Sequence, residues 1–319
     1  MLGQTISHYR ITEKLGEGGM GVVYKAEDTK LERTVALKFL AAHLVSDEEI
    51  RKRFEREAKA AAALNHPNIC TVFEIDEVEG RIFLAMALVE GSSVKDKISE
   101  RPLKLDEALD IARQTAQGLQ AAHAKGVVHR DIKPANLMID LQGRVKIMDF
   151  GLAQLSDRTR LTQTAVVVGT PAYMSPEQAQ RQPTDRRTDL WSLGVVLYEM
   201  VTGRLPFGGE REQAVLYAIS NEEPEPVTAL RAGLPMELEW ILGKCLAKNP
   251  AGRYQHADDL IVDLKNLQEK LKSGRSAILR TSAAATTVGA RHAVPGGAET
   301  EMGSRAQHAV PLQRTPLRG

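Results

Sequence analysis

Apolar residues between Tyr9 and Val89 come in short runs broken by charged and glycine-bearing turns, whereas after Val89 they recur every three or four positions. The first pattern predicts strands and the second predicts helices. Tyr9 to Leu15 and Val22 to Glu27 read as strands flanking a glycine-rich turn. Val35 to Lys38 is a short apolar run with one embedded lysine, and Arg81 to Gly91 is a strand entering a short connector. One helix interrupts this half. Ser46 and Glu49 have capping-box spacing, and Ile50, Phe54, Ala58, Ala61 and Leu64 then recur as an inward stripe. In the second half Leu105, Ala108, Leu109, Ala112, Ala116 and Leu119 trace an amphipathic helix, and Leu190 to Val201 is apolar enough to be largely buried. Arg211 to Ser220, Met236 to Leu246 and Ala257 to Leu271 read as further helices. The organisation expected is α+β: an extension over 1–8, a strand-rich part over about 9–89, a helical part over about 90–271, and a disordered tail over 272–319. The tail is rich in Ala, Thr, Gly, Pro and Arg and has no aromatic residue.

The composition narrows the function classes. With 319 residues and 43% hydrophobic content the chain can bury two unequal cores. Its 42 basic and 41 acidic residues leave a net charge of +1, so nothing draws it toward nucleic acid. Cys70 and Cys245 are the two cysteines; core thiols in a reducing, cytoplasmic setting are expected. Residues 1–8 lack the character of a secretory signal. No apolar run reaches the roughly 20 residues a membrane helix needs, so no membrane segment is expected in this chain. Trp191 and Trp240 are both expected in the core.

Chemistry concentrates in two places. His129-Arg130-Asp131-Ile132-Lys133-Pro134-Ala135-Asn136 is followed by Asp149-Phe150-Gly151. Phosphoryl transfer needs an acceptor for the nucleophile's proton, a cation for the moving charge and oxygen ligands for metal, and Asp131, Lys133, Asn136 and Asp149 supply these. Upstream, Gly16-Glu17-Gly18-Gly19-Met20-Gly21-Val22-Val23 forms a G-x-G-x-x-G-x-V loop between strands, where glycine lets backbone amides approach phosphates. A strand rather than a helix follows it, and no Lys-Ser or Lys-Thr closes it, which argues against a dinucleotide fold or a Walker loop. Glu57 falls on the apolar face of the first helix, where a carboxylate needs a partner; Lys38 is the candidate.

These motifs, in this order, resemble the eukaryotic-like (Hanks-type) serine/threonine protein kinases, in their bacterial form, over roughly residues 9–270. The resemblance implies a bilobal fold with the ATP cleft between a β-rich lobe and a helical lobe. Asp131 would be the base, Lys133 the charge-neutralising cation, and Asn136 and Asp149 the magnesium ligands, with manganese a possible substitute. Lys38, ion-paired to Glu57, would hold the α- and β-phosphates. Gly16, Glu17, Gly18, Gly19, Met20, Gly21 and Val23 would cover the nucleotide, with Ala36 and Met138 lining its pocket, Met86 as gatekeeper, and Ala87 and Val89 meeting the base through their backbones. The family more often has an acidic residue at the position of Ala87. Lys133 favours serine or threonine acceptors. Arg130 would receive a phosphorylated segment, for which Thr162 and Thr164 resemble the double-threonine site of bacterial members. Thr170 would orient Asp131 and Lys133, Glu177 would pair with Arg253, Asp189 would anchor the catalytic loop, and Phe150 would support it. Ser175 stands where alanine is common. Protein substrates and transient self-association for phosphorylation in trans follow from the same likeness. A non-catalytic nucleotide-binding scaffold and a small-molecule kinase are the competing classes. Lys38, Asp131 and Asp149 stand against the first, and the docking segment 169–177 against the second.

Overall fold

The structure is a computed structural model that describes residues 1–18, 21–41, 48–150 and 171–288. Ser46, Gly19 and Met20 therefore lie outside the described residues, as do Thr162, Thr164 and Thr170. The chain divides into two units, Met1–Leu271 and Lys272–Gly319.

The first unit opens with strands β1 (Thr5–Ile6), β2 (Tyr9–Gly18), β3 (Gly21–Asp28), β4 (Arg33–Leu40), β5 (Val72–Val78) and β6 (Arg81–Ala87). They form one antiparallel sheet in the order β1-β2-β3-β4-β6-β5. Side chains on a strand alternate between faces, and β4 and β6 use both faces. Val35, Leu37 and Phe39 join Phe83 and Ala85 in one core, against Tyr9 and Ile11. Ala36, Ile82, Leu84 and Met86 turn the other way and pack on Phe54 and Ala58 of helix α1 (Glu48–Ala62). Lys38 shares the parity of Ala36, so the pleat carries it to the face that α1 covers. The helix begins at Glu48, and its stripe of Phe54, Ala58, Ala61 and Leu64 is buried as the sequence predicts.

The helical part contains α2 (Val94–Glu100), α3 (Leu105–His123), α4 (Pro176–Ala179), α5 (Arg186–Thr202), α6 (Glu212–Asn221), α7 (Val227–Leu230), α8 (Met236–Cys245) and α9 (Ala257–Val288). A second sheet, β7 (Gly91–Ser93), β8 (Leu137–Asp140) and β9 (Val145–Ile147), lies between α2, α3 and the strand half. Helix α5 is buried along nearly its whole length, and from Leu193 to Val201 it is apolar on all sides except at Glu199. Its Trp191 stacks on Phe207, which follows the helix, with ring centroids 5.5 Å apart.

Three features differ from expectation. Trp240 is 65% exposed on α8 instead of buried, because Leu238, Ile241 and Leu242 occupy the inward side of that helix. Helix α9 continues to Val288, past Lys272 where composition predicts disorder; Ala277, Leu279 and the alanines at 283–285 are strong helix formers. The short α2 has no counterpart in the periodicity and owes its start to a capping box between Ser93 and Asp96. Cys70 and Cys245 are buried free thiols, and burial pushes both up to about 12. Among the described residues no helix is long and apolar enough to cross a membrane.

Candidate active site

The segment His129–Asn136, expected to be the catalytic loop, runs between the end of α3 and β8, and its backbone is fixed by one buried carboxylate. Asp189, near the N-terminus of α5, accepts from the backbone N–H of His129 at 2.9 Å and of Arg130 at 2.7 Å. It also meets Nε2 of His123 at 2.7 Å. A buried carboxylate persists only when its lone pairs are taken, and three donors take them here. Arg130 sits in the left-handed region with φ 66°, a conformation unfavourable for a side chain with a Cβ and held in place by these bonds. The anchoring role expected of Asp189 is thus visible in its contacts; His123, which no motif singled out, shares it.

His129 is buried and orients the next residue. The Asp131 N–H donates to its Nδ1 at 3.2 Å, so Nε2 carries the proton and donates to the Met148 carbonyl at 2.8 Å. Phe150 packs edge-on against the same ring at 4.7 Å and is buried. One ring therefore ties Asp131 to the strand that leads into Asp149.

Asp131 presents its two oxygens unequally. Oδ2 accepts from Lys133 Nζ at 2.7 Å and from Asn136 Nδ2 at 3.0 Å. The same Asn136 group donates to the Asp131 carbonyl at 2.8 Å. Oδ1 takes no hydrogen bond from a described residue. Asn136, with its amide nitrogen committed to Asp131, keeps its amide oxygen as the acceptor end. It lies in a single turn of 3-10 helix, Pro134–Asn136, and its carbonyl accepts from Met148 N–H at 2.8 Å, which brings β8 beside the approach to Asp149.

Asp149 stands just after β9 with φ 58°, a second left-handed residue in the site. Its Oδ2 pairs with Lys38 Nζ at 2.8 Å. Burial would raise this carboxyl, but Lys38 foremost, with Lys133, holds it below the ordinary aspartate range. The expected Lys38–Glu57 pair is not formed. Lys38 has one ammonium between two carboxylates, and the partly buried Asp149 takes it, while Glu57 on α1 interacts elsewhere.

The expected nucleotide-facing residues fall together on the α1 side of the sheet. Ala36 pairs across strands with Met86, and Val23 with Lys38. Val23, Ala87 and Val89 pack against the apolar cluster built on Ala36, Leu84 and Met86. Met148 joins that cluster and was missed from the sequence; its place directly before Asp149 is the signal that could have found it. Met138 is half-buried on β8. The Ala87 N–H is taken by the Thr71 carbonyl at 2.9 Å, whereas the Val89 N–H makes no hydrogen bond with a described residue. At the first residue of β3, Gly21 has φ 136°, and a Cβ there would overlap the Phe39 carbonyl oxygen, so the protein itself requires glycine. Gly16 and Gly18 have open space instead. Among the described residues no atom forbids a side chain at either.

The segment from Pro171 to Ala179 is anchored by a second buried carboxylate. Glu177 accepts from both Arg253 guanidinium nitrogens at 2.8 Å and from Thr188 Oγ1 at 2.7 Å. Burial opposes its charge, yet Arg253 and Thr188 hold it below the usual glutamate value. Arg253 is buried too and lies over the Trp191 ring. Ser175 fills the position where alanine is common, is fully buried, and caps α4.

The family model described as "Protein kinase domain" matches residues 9–262. Over 263 residues, 80% of this chain, the sequence is 43% identical to the serine/threonine-protein kinase PknB of Mycobacterium tuberculosis, and the match spans 42% of that protein. It is 40% identical over 269 residues to the serine/threonine-protein kinase PrkC of Bacillus subtilis, covering 83% of this chain and 41% of that one. The chain thus spans about two fifths of the length of these curated relatives. Among solved structures, the PknI kinase domain of Mycobacterium tuberculosis superposes with a TM-score of 0.69 at 28% identity, covering 84% of this chain and 99% of that one.

Proposed function

The chain belongs to the protein kinase domain family, and on that premise we propose that it transfers the γ-phosphoryl group of ATP to serine and threonine hydroxyls of proteins. The observation that carries this reading is Asp131: one oxygen is fixed by Lys133 and Asn136, the other takes no bond from a described residue, and the backbone is clamped through His129 and Asp189. A carboxylate so held accepts the proton of a hydroxyl placed at Oδ1 as the oxygen attacks. Lys133, already beside Asp131, stabilises negative charge developing on the transferring group. Lys38 projects from the sheet face that Ala36 and Met86 line, where it reaches the phosphates of a nucleotide whose base lies against that cluster and the Val89 N–H. The open room at Gly16 and Gly18 suits a loop that closes over those phosphates and excludes water.

The family uses a nucleoside triphosphate with a divalent metal; magnesium is the finer reading. The Asn136 amide oxygen and the Asp149 carboxylate are hard oxygen donors of the type magnesium takes, and the ion held there would neutralise charge on the β- and γ-phosphates. Because Lys38 pairs with Asp149, nucleotide binding must redirect the ammonium toward phosphate. Thr162 and Thr164 are the proposed autophosphorylation sites, with Arg130 as their receiver and a transient encounter of two copies as the route. A cytoplasmic setting suits both ATP use and the two reduced, buried thiols.

The test is phosphosite mapping after incubation of the purified chain with magnesium-ATP, beside the Asp131→Asn variant. Phosphate on serine or threonine with the parent chain and none with the variant is the expected result. Equal incorporation by the variant would remove Asp131 from the role of base.

A further inference from the structure

Gln178 uses both ends of one side-chain amide to join two parts of the site. Its Oε1 accepts from the Ser175 backbone N–H at 3.0 Å, and its own N–H donates to Ser175 Oγ at 3.3 Å, closing the capping box of α4. Its Nε2 then donates to the Arg130 carbonyl at 2.8 Å, across 48 residues of sequence. That carbonyl belongs to the peptide linking Arg130 to Asp131. The N–H of the same peptide donates to His129 Nδ1. Both polar atoms of the unit leading into the base are therefore held, one by the imidazole and one by Gln178.

The location gives the contact its meaning. Arg130 occupies the left-handed region, and relaxing its dihedrals would swing the following peptide and the carboxylate of Asp131 with it. Asp189 restrains the N–H groups on the near side of Arg130, and Gln178 restrains its carbonyl on the far side. Gln178 in turn follows directly on Glu177, whose pairing with Arg253 and Thr188 fixes the end of the docking segment, while the buried Ser175 lies 3.5 Å from the same Thr188 hydroxyl. An amide fits this post, since one end must accept from a backbone N–H and the other must donate to a carbonyl.

We infer that Gln178 is a positioning residue for phosphoryl transfer, coupling the order of the docking segment to the orientation of Asp131. The inference rests on Asp131 as the base. Gln178→Glu keeps the acceptor facing Ser175 and sets a carboxylate oxygen against the Arg130 carbonyl; Gln178→Met removes both bonds at nearly constant length. The expected result is a fall in kcat of about fivefold or more in both variants, the worth of one hydrogen bond at the reacting centre. KM for magnesium-ATP should stay within about twofold, since the nucleotide contacts are untouched. Thermal stability should separate the variants, because Gln178→Glu retains the cap.

A role confined to capping would lower the Tm of Gln178→Met while leaving kcat of both variants at the parent value, and that outcome overturns the inference. A rise in KM matching the fall in kcat would overturn it as well. Hydrogen exchange over residues 129–133 gives a readout independent of activity: faster exchange in both variants is expected, and parental exchange rates would reject the coupling. If the parent chain transfers no phosphate yet the variants exchange faster, the assignment of Asp131 as base fails while the coupling stands.

Discussion

The acceptor side and the phosphate side of this site are held in opposite ways. Around Asp131 every neighbour is committed: Asp189 takes three donors, His129 uses both ring nitrogens, and Glu177 is bound by Arg253 and Thr188. Around Lys38 a single ammonium meets Asp149 and not Glu57, beside a loop where a side chain at Gly16 or Gly18 would meet no described atom within 4 Å. The contrast separates the part that must not move during the reaction from the part that must exchange partners to admit and release a nucleotide. Rigidity comes from buried, multiply bonded carboxylates; adaptability comes from a long lysine with a choice of anions.

That comparison is most severely tested at Asp131. Asp131→Asn should lower kcat by about 100- to 10,000-fold, the range for a general base, with nucleotide affinity nearly unchanged; steady-state kinetics beside nucleotide titration would read this. Next in size, Arg253→Met leaves Glu177 as a buried charge without its guanidinium, and unfolding free energy should drop by about 3–5 kcal/mol. In a domain of this size that is about 10 °C in Tm by calorimetry; a shift under a degree or two would mean the acceptor side is less rigidly built than its contacts suggest. Lys38→Met should reduce kcat/KM by about 10- to 100-fold, the worth of a charge-assisted contact, with a far smaller effect on Tm than Arg253→Met. If the two variants were equally unstable, the phosphate side would be as much a part of the frame as the acceptor side.

The smallest effect is in the acid limb of stability. Glu177 titrates below the ordinary glutamate value of 4.5, so its contribution is present above that pH and is lost as pH falls through the lower native value. Unfolding free energy measured downward from pH 5 should therefore decline more steeply in the parent than in Glu177→Gln.

Much of the site was legible because its residues lie close together in sequence. Asp131, Lys133 and Asn136 fall within one loop turn, and their mutual bonds span at most five residues. The strand parity that places Lys38 beside Ala36 could also be read directly. What the sequence hid depends on contacts across long separations. His123 meets Asp189 across 66 residues and Gln178 meets Arg130 across 48, and neither pairing leaves a local pattern. The partner of Lys38 was misjudged for another reason. Helical spacing puts Glu57 on the inward face, but it does not say which of two carboxylates a flexible ammonium will choose. Trp240 was expected inside because bulk and apolarity argue for burial; its exposure depends on which side of α8 meets α5, a question of packing that periodicity alone left open.

The ion pair between Glu177 and Arg253 has a consequence for how the chain is made. Its partners lie 76 residues apart, and Arg253 comes late in the domain. At a ribosomal rate of about 5–20 residues per second, several seconds separate synthesis of the two. During that interval the catalytic loop, the metal-site residues and Asp189 already exist, but the docking segment lacks the guanidinium that secures it. On the proposed function, a nascent chain would carry its reactive groups before the means to present a substrate to them, and competence would arrive only with the last tenth or so of the domain.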